Sequence, residues 1–169
     1  GVQLFKAEAP GPVSDKIRPR VRETAKFLWI IYVGMTFVQI IFLRIAGMET
    51  FDSICHAFTT MPTGGFSTKN ASLAHFESSY IHYIIIFFMF IAGVNFSLHF
   101  RLINGSYKVY TKDTEFLVYL LITVIITFII YLSISFQTNT FSSLGFKESL
   151  FGTIAILTGT GYVLGDYEI

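Results

Sequence analysis

The stretch His56-Ala57-Phe58-Thr59-Thr60-Met61-Pro62-Thr63-Gly64-Gly65-Phe66-Ser67-Thr68 decides how the rest of the chain is read. Its first half completes an apolar segment, Phe51 to Met61, with the make-up of a short helix. Thr50 suits an N-cap, and Asp52 puts a carboxylate in the first turn, where the helix dipole favours it. Pro62 ends the helix. That length is about half the roughly 20 residues needed to cross ~30 Å of hydrocarbon, so the helix is interfacial or re-entrant. The glycine-rich turn that follows is too apolar in its flanks for an exposed loop.

Working outward, three stretches carry no Asp, Glu, Lys or Arg: Phe27 to Leu43, Ser78 to Phe100 and Phe116 to Phe146. Each is long enough to span a bilayer, and they predict spans at Phe27–Ala46, Ser79–Leu102 and Phe116–Phe136. The composition agrees: 53% of residues are hydrophobic and 14% charged, against roughly 45–50% apolar in soluble domains. An all-α membrane protein is the predicted fold class. The lone Cys55 excludes an internal disulfide and any multi-cysteine zinc site.

Charge placement orients the spans. Lys6, Lys16, Arg18, Arg20, Arg22 and Lys26 precede the first, and Arg101, Lys108 and Lys112 lie between the second and third. The other inter-helix regions hold Arg44, Lys69 and Lys147. By the positive-inside rule, residues 1–26 form a cytoplasmic linker and 104–115 a cytoplasmic loop. The spans then run out, in and out. With Gly at position 1 and a turn-like end near Ile169, the sequence is expected to be a fragment of a longer protein.

The pattern recurs. After the third span comes a second apolar helix near Phe146–Leu157, then Thr158-Gly159-Thr160-Gly161-Tyr162; Gly65-Phe66 and Gly161-Tyr162 are 96 residues apart. Residues 27–103 therefore read as one complete unit of span, pore helix, filter loop and span, and 116–169 as an incomplete second unit. Irregular backbone at membrane depth survives only in protein or beside water. A row of carbonyls there can replace a cation's hydration without a fixed charge that would trap it. Glycine permits the φ values that turn successive carbonyls to one side. The short helix adds about half a negative charge at its C-terminal end, aimed at the loop. The following aromatic can wedge the loop against neighbouring helices. Together these point to a monovalent-cation path with no enzymatic role and no cofactor.

These residues resemble the second pore loop of the Trk/Ktr/HKT potassium transporter superfamily, and within it the bacterial Trk membrane subunit. Leu4-Phe5-Lys6-Ala7-Glu8 and Pro10-Gly11-Pro12 are similar to that subunit's inner linker, Ala92-Gly93-Val94-Asn95-Phe96 to the following span, and Thr158–Tyr167 to the third pore loop. The resemblance implies four span-pore-span repeats around one pore, with the second and most of the third present here and the gating loop beyond Ile169. It implies that Thr63, Gly64, Gly65 and Phe66 form one wall of a K+ selectivity filter, and Gly159, Thr160, Gly161 and Tyr162 the next. Where the family more often has Thr or Ala, this chain has Gly159. It further implies potassium uptake across the inner membrane by a homodimer gated by a cytoplasmic nucleotide-binding regulatory subunit. A sodium-permeable relative is the nearest alternative.

Other residues carry less. His56, His75, His82 and His99 match no metal-ligand spacing. Ser97 and His99 are the nearest candidates for a membrane-embedded hydrolase, but positions i and i+2 of a helix do not face each other. Asn95 in mid-span reads as a helix–helix hydrogen bond, with Gly93 allowing close approach. Asp166 and Glu168 would face the outer mouth, where carboxylates concentrate cations. The basic run lacks the aromatic interleaving of a nucleic-acid surface.

Overall fold

The computed structural model describes residues 13–103 and 105–165. The matches at Leu4–Glu8 and Pro10–Pro12, and the acids Asp166 and Glu168, lie outside them. Among the described residues the chain is helical: α1 (Val13–Ile45), α2 (Thr50–Thr60), α3 (Ser79–Ala92), α4 (Phe96–Ile103), α5 (Val109–Lys112), α6 (Thr114–Thr138) and α7 (Ser143–Leu157), with a 3-10 turn at Ser72–His75. Helix is continuous from Val13, so residues 13–26 of the expected linker lie on the same helix as the first predicted span.

Two helices are long and apolar enough to cross a membrane, Glu23–Ile45 within α1 and Thr114–Thr138. Trp29, Phe37 and Phe42 of α1 and Leu121, Val124 and Ile129 of α6 stand exposed, as residues facing lipid do. Asp113 caps α6 through its side chain, accepting from the Phe116 N–H at 2.9 Å, and Asn139 ends it in the left-handed conformation with φ 52°. Thr50 is the first residue of α2 and not its cap; Glu49 flanks the helix without a side-chain capping bond.

The expected second span, Ser79–Leu102, is broken. Its two halves, α3 and α4, meet at 95° across Gly93-Val94-Asn95. Asn95 does not bridge helices: its Oδ1 accepts from the Ser97 N–H at 3.0 Å and starts α4. A break frees backbone carbonyls that must find other donors. Tyr119 Oη donates to Phe90 O (3.3 Å), and His99 Nε2 lies 3.2 Å from Ile91 O while its Nδ1 meets Tyr110 Oη at 2.5 Å. His99 is thereby engaged on both nitrogens as a splint across the bend. Ser97 takes no part in that arrangement, so the hydrolase pair is not assembled.

The core lies where α1, α3 and α7 converge, built from Leu43, Met48, Ile81, Ile85, Met89, Phe151, Ile154 and Tyr162. Lys147 of α7, buried, donates to Ser79 Oγ at the start of α3 (3.2 Å). A smaller cluster of Val94, Leu98 and Val109 sits at the opposite end, beside the break. Gly93 is packed so closely that a Cβ would lie 2.8 Å from both Thr158 Cγ2 and Tyr119 Oη. The break therefore presses against the base of the second glycine loop. Gly93→Leu should lower the thermal stability of the detergent-solubilised full-length protein by about 1–3 kcal/mol, the cost of overpacking. Gly34→Leu, in open space, should leave it unchanged; equal effects at both positions in a melting assay would refute the close packing.

Candidate functional site

The two glycine loops touch. A Cβ on Gly65 would lie 1.7 Å from the Thr160 carbonyl oxygen and 2.8 Å from its carbon, so the backbone of one loop occupies the space a side chain on the other would need. Both loops are closed by the same bond: Gly65 N–H donates to Thr59 O (3.1 Å) and Gly161 N–H donates to Ala155 O (3.0 Å). Donors and acceptors are each 96 residues apart.

The backbone angles match as well. Thr63 and Gly65 have φ of 55° and 64°; Gly159 and Gly161 have 70° and 75°. Left-handed residues thus alternate with ordinary ones in each loop. In an ordinary extended strand successive carbonyls point to opposite sides; alternating φ brings them toward one. Thr63 adopts a conformation costly for a β-branched residue, whereas Gly159 occupies the matching place without that strain. Among the described residues, no hydrogen bond reaches the carbonyls of Thr63, Gly64, Gly65, Gly159, Thr160 or Gly161. Phe66 differs: its carbonyl accepts from Thr59 Oγ1 at 2.8 Å and is committed to α2.

The aromatics after the two loops also part company. Tyr162 is buried, 3% exposed, and its hydroxyl lies 2.6 Å from Thr59 Oγ1, 3.1 Å from Thr60 Oγ1 and 3.2 Å from His56 O. The second loop is pinned to the helix that precedes the first. Phe66 stands 76% exposed and is not wedged into the core formed by the described residues. Beyond the loops, Leu73 N–H donates to Val163 O (3.1 Å) and Val163 N–H to Ser72 Oγ (3.3 Å), so the two exit segments are laced together.

A buried relay stands behind the first loop. Lys69 N–H donates to Ser67 Oγ (3.1 Å), which donates to His56 Nε2 (2.9 Å), while His56 Nδ1–H donates to Asp52 O (2.7 Å). Facing a carbonyl oxygen, Nδ1 of His56 carries a proton. Asp52 itself accepts from Thr68 Oγ1 at 2.6 Å and pairs with Lys69 Nζ at 3.0 Å. The Thr68 hydroxyl and then the Lys69 ammonium hold its carboxyl below the usual carboxylate range, against the opposing effect of burial.

Sequence reasoning missed these anchors. The Thr59-Thr60 pair on an otherwise apolar short helix was a usable signal for them; Lys69 and Ser67 gave none. His56, weighed beforehand as a metal ligand, is a structural post, and no three His, Cys, Asp or Glu side chains gather as a metal site among the described residues.

Residues 1–164 match the profile of the family described as TrkH, cation transport protein. The Trk system potassium uptake protein TrkH of Escherichia coli (strain K12) is 42% identical over 166 residues, covering 96% of this chain and 34% of that protein. The Trk system potassium uptake protein TrkI of Halomonas elongata is 32% identical over 171 residues, covering 99% and 34%. The crystal structure of the potassium transporter TrkH from Vibrio parahaemolyticus superposes with a TM-score of 0.83 at 36% identity, over 87% of this chain and 32% of that one. The chain therefore spans about one third of the length of these relatives. With a family profile matched almost end to end and a shared fold, the chain belongs to the TrkH family of cation transport proteins.

Proposed function

We propose that this chain contributes two adjacent walls of a potassium uptake path through the cytoplasmic membrane. The carbonyls of Thr63, Gly64 and Gly65 form one wall and those of Gly159, Thr160 and Gly161 the other. Tyr162 braces its own wall from behind; Phe66 would brace the first against a neighbouring element. The observation that carries this reading is the direct contact of two matched loops whose six carbonyls have no protein donor among the described residues. Carbonyls left open in this way can stand in for lost hydration, and a dehydrated monovalent cation is the partner whose needs they match. The C-terminal ends of α2 and α7 lead directly into the two loops and add favourable potential.

The protein acts as a translocator rather than an enzyme, with K+ as its cargo. Inward movement would draw on the membrane potential, about 2.3 kcal/mol per charge per 100 mV. The related proteins are named as parts of a Trk system; a homodimeric membrane subunit with a cytoplasmic nucleotide-binding regulator is the assembly proposed for the whole protein. Residues 27–103 and 116–169 would be two of its pore repeats, with 1–26 and 104–115 on the cytoplasmic side.

Rubidium uptake by the full-length protein tests the walls. Gly65→Ala should cut uptake about tenfold or more, because Thr160's backbone must move away by well over an ångström. Gly161→Ala meets no atom within 4 Å, so its penalty is the left-handed backbone alone, about 1–2 kcal/mol, and its loss should be smaller. Wild-type uptake in Gly65→Ala would eliminate the filter, and sodium uptake equal to rubidium would reassign the cargo.

Tyr162→Phe removes the hydroxyl that ties the second wall to α2, at a cost of about 1 kcal/mol. It should raise sodium permeation relative to rubidium while leaving expression intact; an unchanged ratio would mean the tie is immaterial.

Asp52 has a native pKa below its unfolded value near 3.8, so its stabilisation is complete above that pH and vanishes as pH falls through the native pKa. Asp52→Asn should lower stability at pH 7 by about 1.5–3 kcal/mol, the range for hydrogen bonds to a charged group. The difference from wild type should shrink below about pH 4 in a thermal-shift series; a constant difference across pH would argue that ionisation is irrelevant.

A further inference from the structure

The segment between α4 and α6 shapes an open pocket of about 240 Å³ lined by Arg101, Ser106, Lys108, Val109, Lys112 and Asp113. Three cations and a hydroxyl face it against one carboxylate. That carboxylate is already engaged, capping α6 through the Phe116 N–H. Arg101, Lys108 and Lys112 form no ion pair with any described residue. The cradle is held in shape by backbone bonds: Ser106 N–H donates to Arg101 O (3.0 Å) and Val109 N–H to Ser106 O (3.2 Å). Unpaired cations around a pre-shaped cavity with a hydroxyl donor suit a phosphate or phosphodiester.

The surroundings choose between a soluble anion and a lipid. Ile103 and Tyr107, 69% and 79% exposed, project from the same turn. Directly beyond it the outward face of α6 begins, with Leu117, Val118 and Leu121 exposed. A basic pocket followed along the chain by a helix that exposes aliphatic side chains has the two-part character of a lipid site: headgroup at one place, acyl chains along the other.

We infer that Arg101, Lys108, Lys112 and Ser106 form a headgroup site for one anionic phospholipid, whose acyl chains lie along α6. The inference rests on the membrane placement proposed above but not on the carbonyl walls, so a transport defect leaves it standing. Because the cavity adjoins the Val94, Leu98 and Val109 cluster at the helix break, an occupied site would steady the bend that packs against the base of the second glycine loop.

The test is titration of the delipidated full-length protein in detergent with phosphatidylglycerol or phosphatidylethanolamine, reading bound lipid by native mass spectrometry. Wild type should retain phosphatidylglycerol in preference to phosphatidylethanolamine. Arg101→Gln/Lys108→Gln/Lys112→Gln should weaken phosphatidylglycerol binding about tenfold or more, given the attraction each base contributes at an anionic surface. The charge-keeping pair Lys108→Arg/Lys112→Arg should bind as wild type does, which separates charge from folding. Equal binding by the triple variant and wild type would overturn the inference. So would displacement of the lipid by millimolar inorganic phosphate, which would make this a soluble-anion site. Unchanged lipid binding with lost association of a cytoplasmic protein subunit would make it a protein-docking face instead, and would also overturn it.

Discussion

The backbone of Thr160 occupies the position where any residue but glycine at 65 would carry its Cβ, and the arrangement of the chain can be followed outward from that contact. Two polypeptide segments brought this close cannot satisfy their carbonyls with each other, since each offers oxygens and few free N–H groups. The fold meets that constraint by spending the available donors elsewhere. Gly65 and Gly161 turn their N–H groups back onto the short helices, Leu73 donates its N–H to Val163 O, and Val163 donates its own to Ser72 Oγ. The oxygens left over are those of the contact region, a local excess of negative potential with a single sign and a defined shape.

Everything behind the contact is support. Tyr162 reaches across to the helix of the other loop, so neither wall can shift without disturbing its neighbour's foundations. His56 joins α2 to the exit of its own loop through Ser67, and Asp52 does the same through Thr68 and Lys69. The broken helix closes the assembly from the far side, with Gly93 seated against Thr158. Three elements of different lengths thereby share one mechanical centre.

Much of this was legible in the residues themselves. Long charge-free stretches announced the spans, and Pro62 and the paired glycine-aromatic turns announced the short helices and loops, because hydrophobic length and backbone permissiveness are local properties. The break at Gly93-Val94-Asn95 was not legible. Apolar composition runs straight through it, and the donors that make the bend tolerable, His99 and Tyr119, are distant in sequence from the carbonyls they serve. Likewise, Asn95 was polar in an apolar run, but nothing local distinguished a partner on another helix from the N–H of Ser97 two residues on. The fates of Phe66 and Tyr162 diverged for the same reason: burial depends on what stands opposite, which one residue's identity does not encode.

The matched positions of the two loops do not carry the same residues: Thr63 corresponds to Gly159, and Gly64 to Thr160. In an assembly of identical subunits, one codon change alters every quadrant of a ring together. Here the two matched loops are separate stretches of a single polypeptide, so a codon change alters one of them and leaves its partner chemically intact. A stiff, β-branched residue can therefore stand at a place in one loop where the other keeps a pliant glycine.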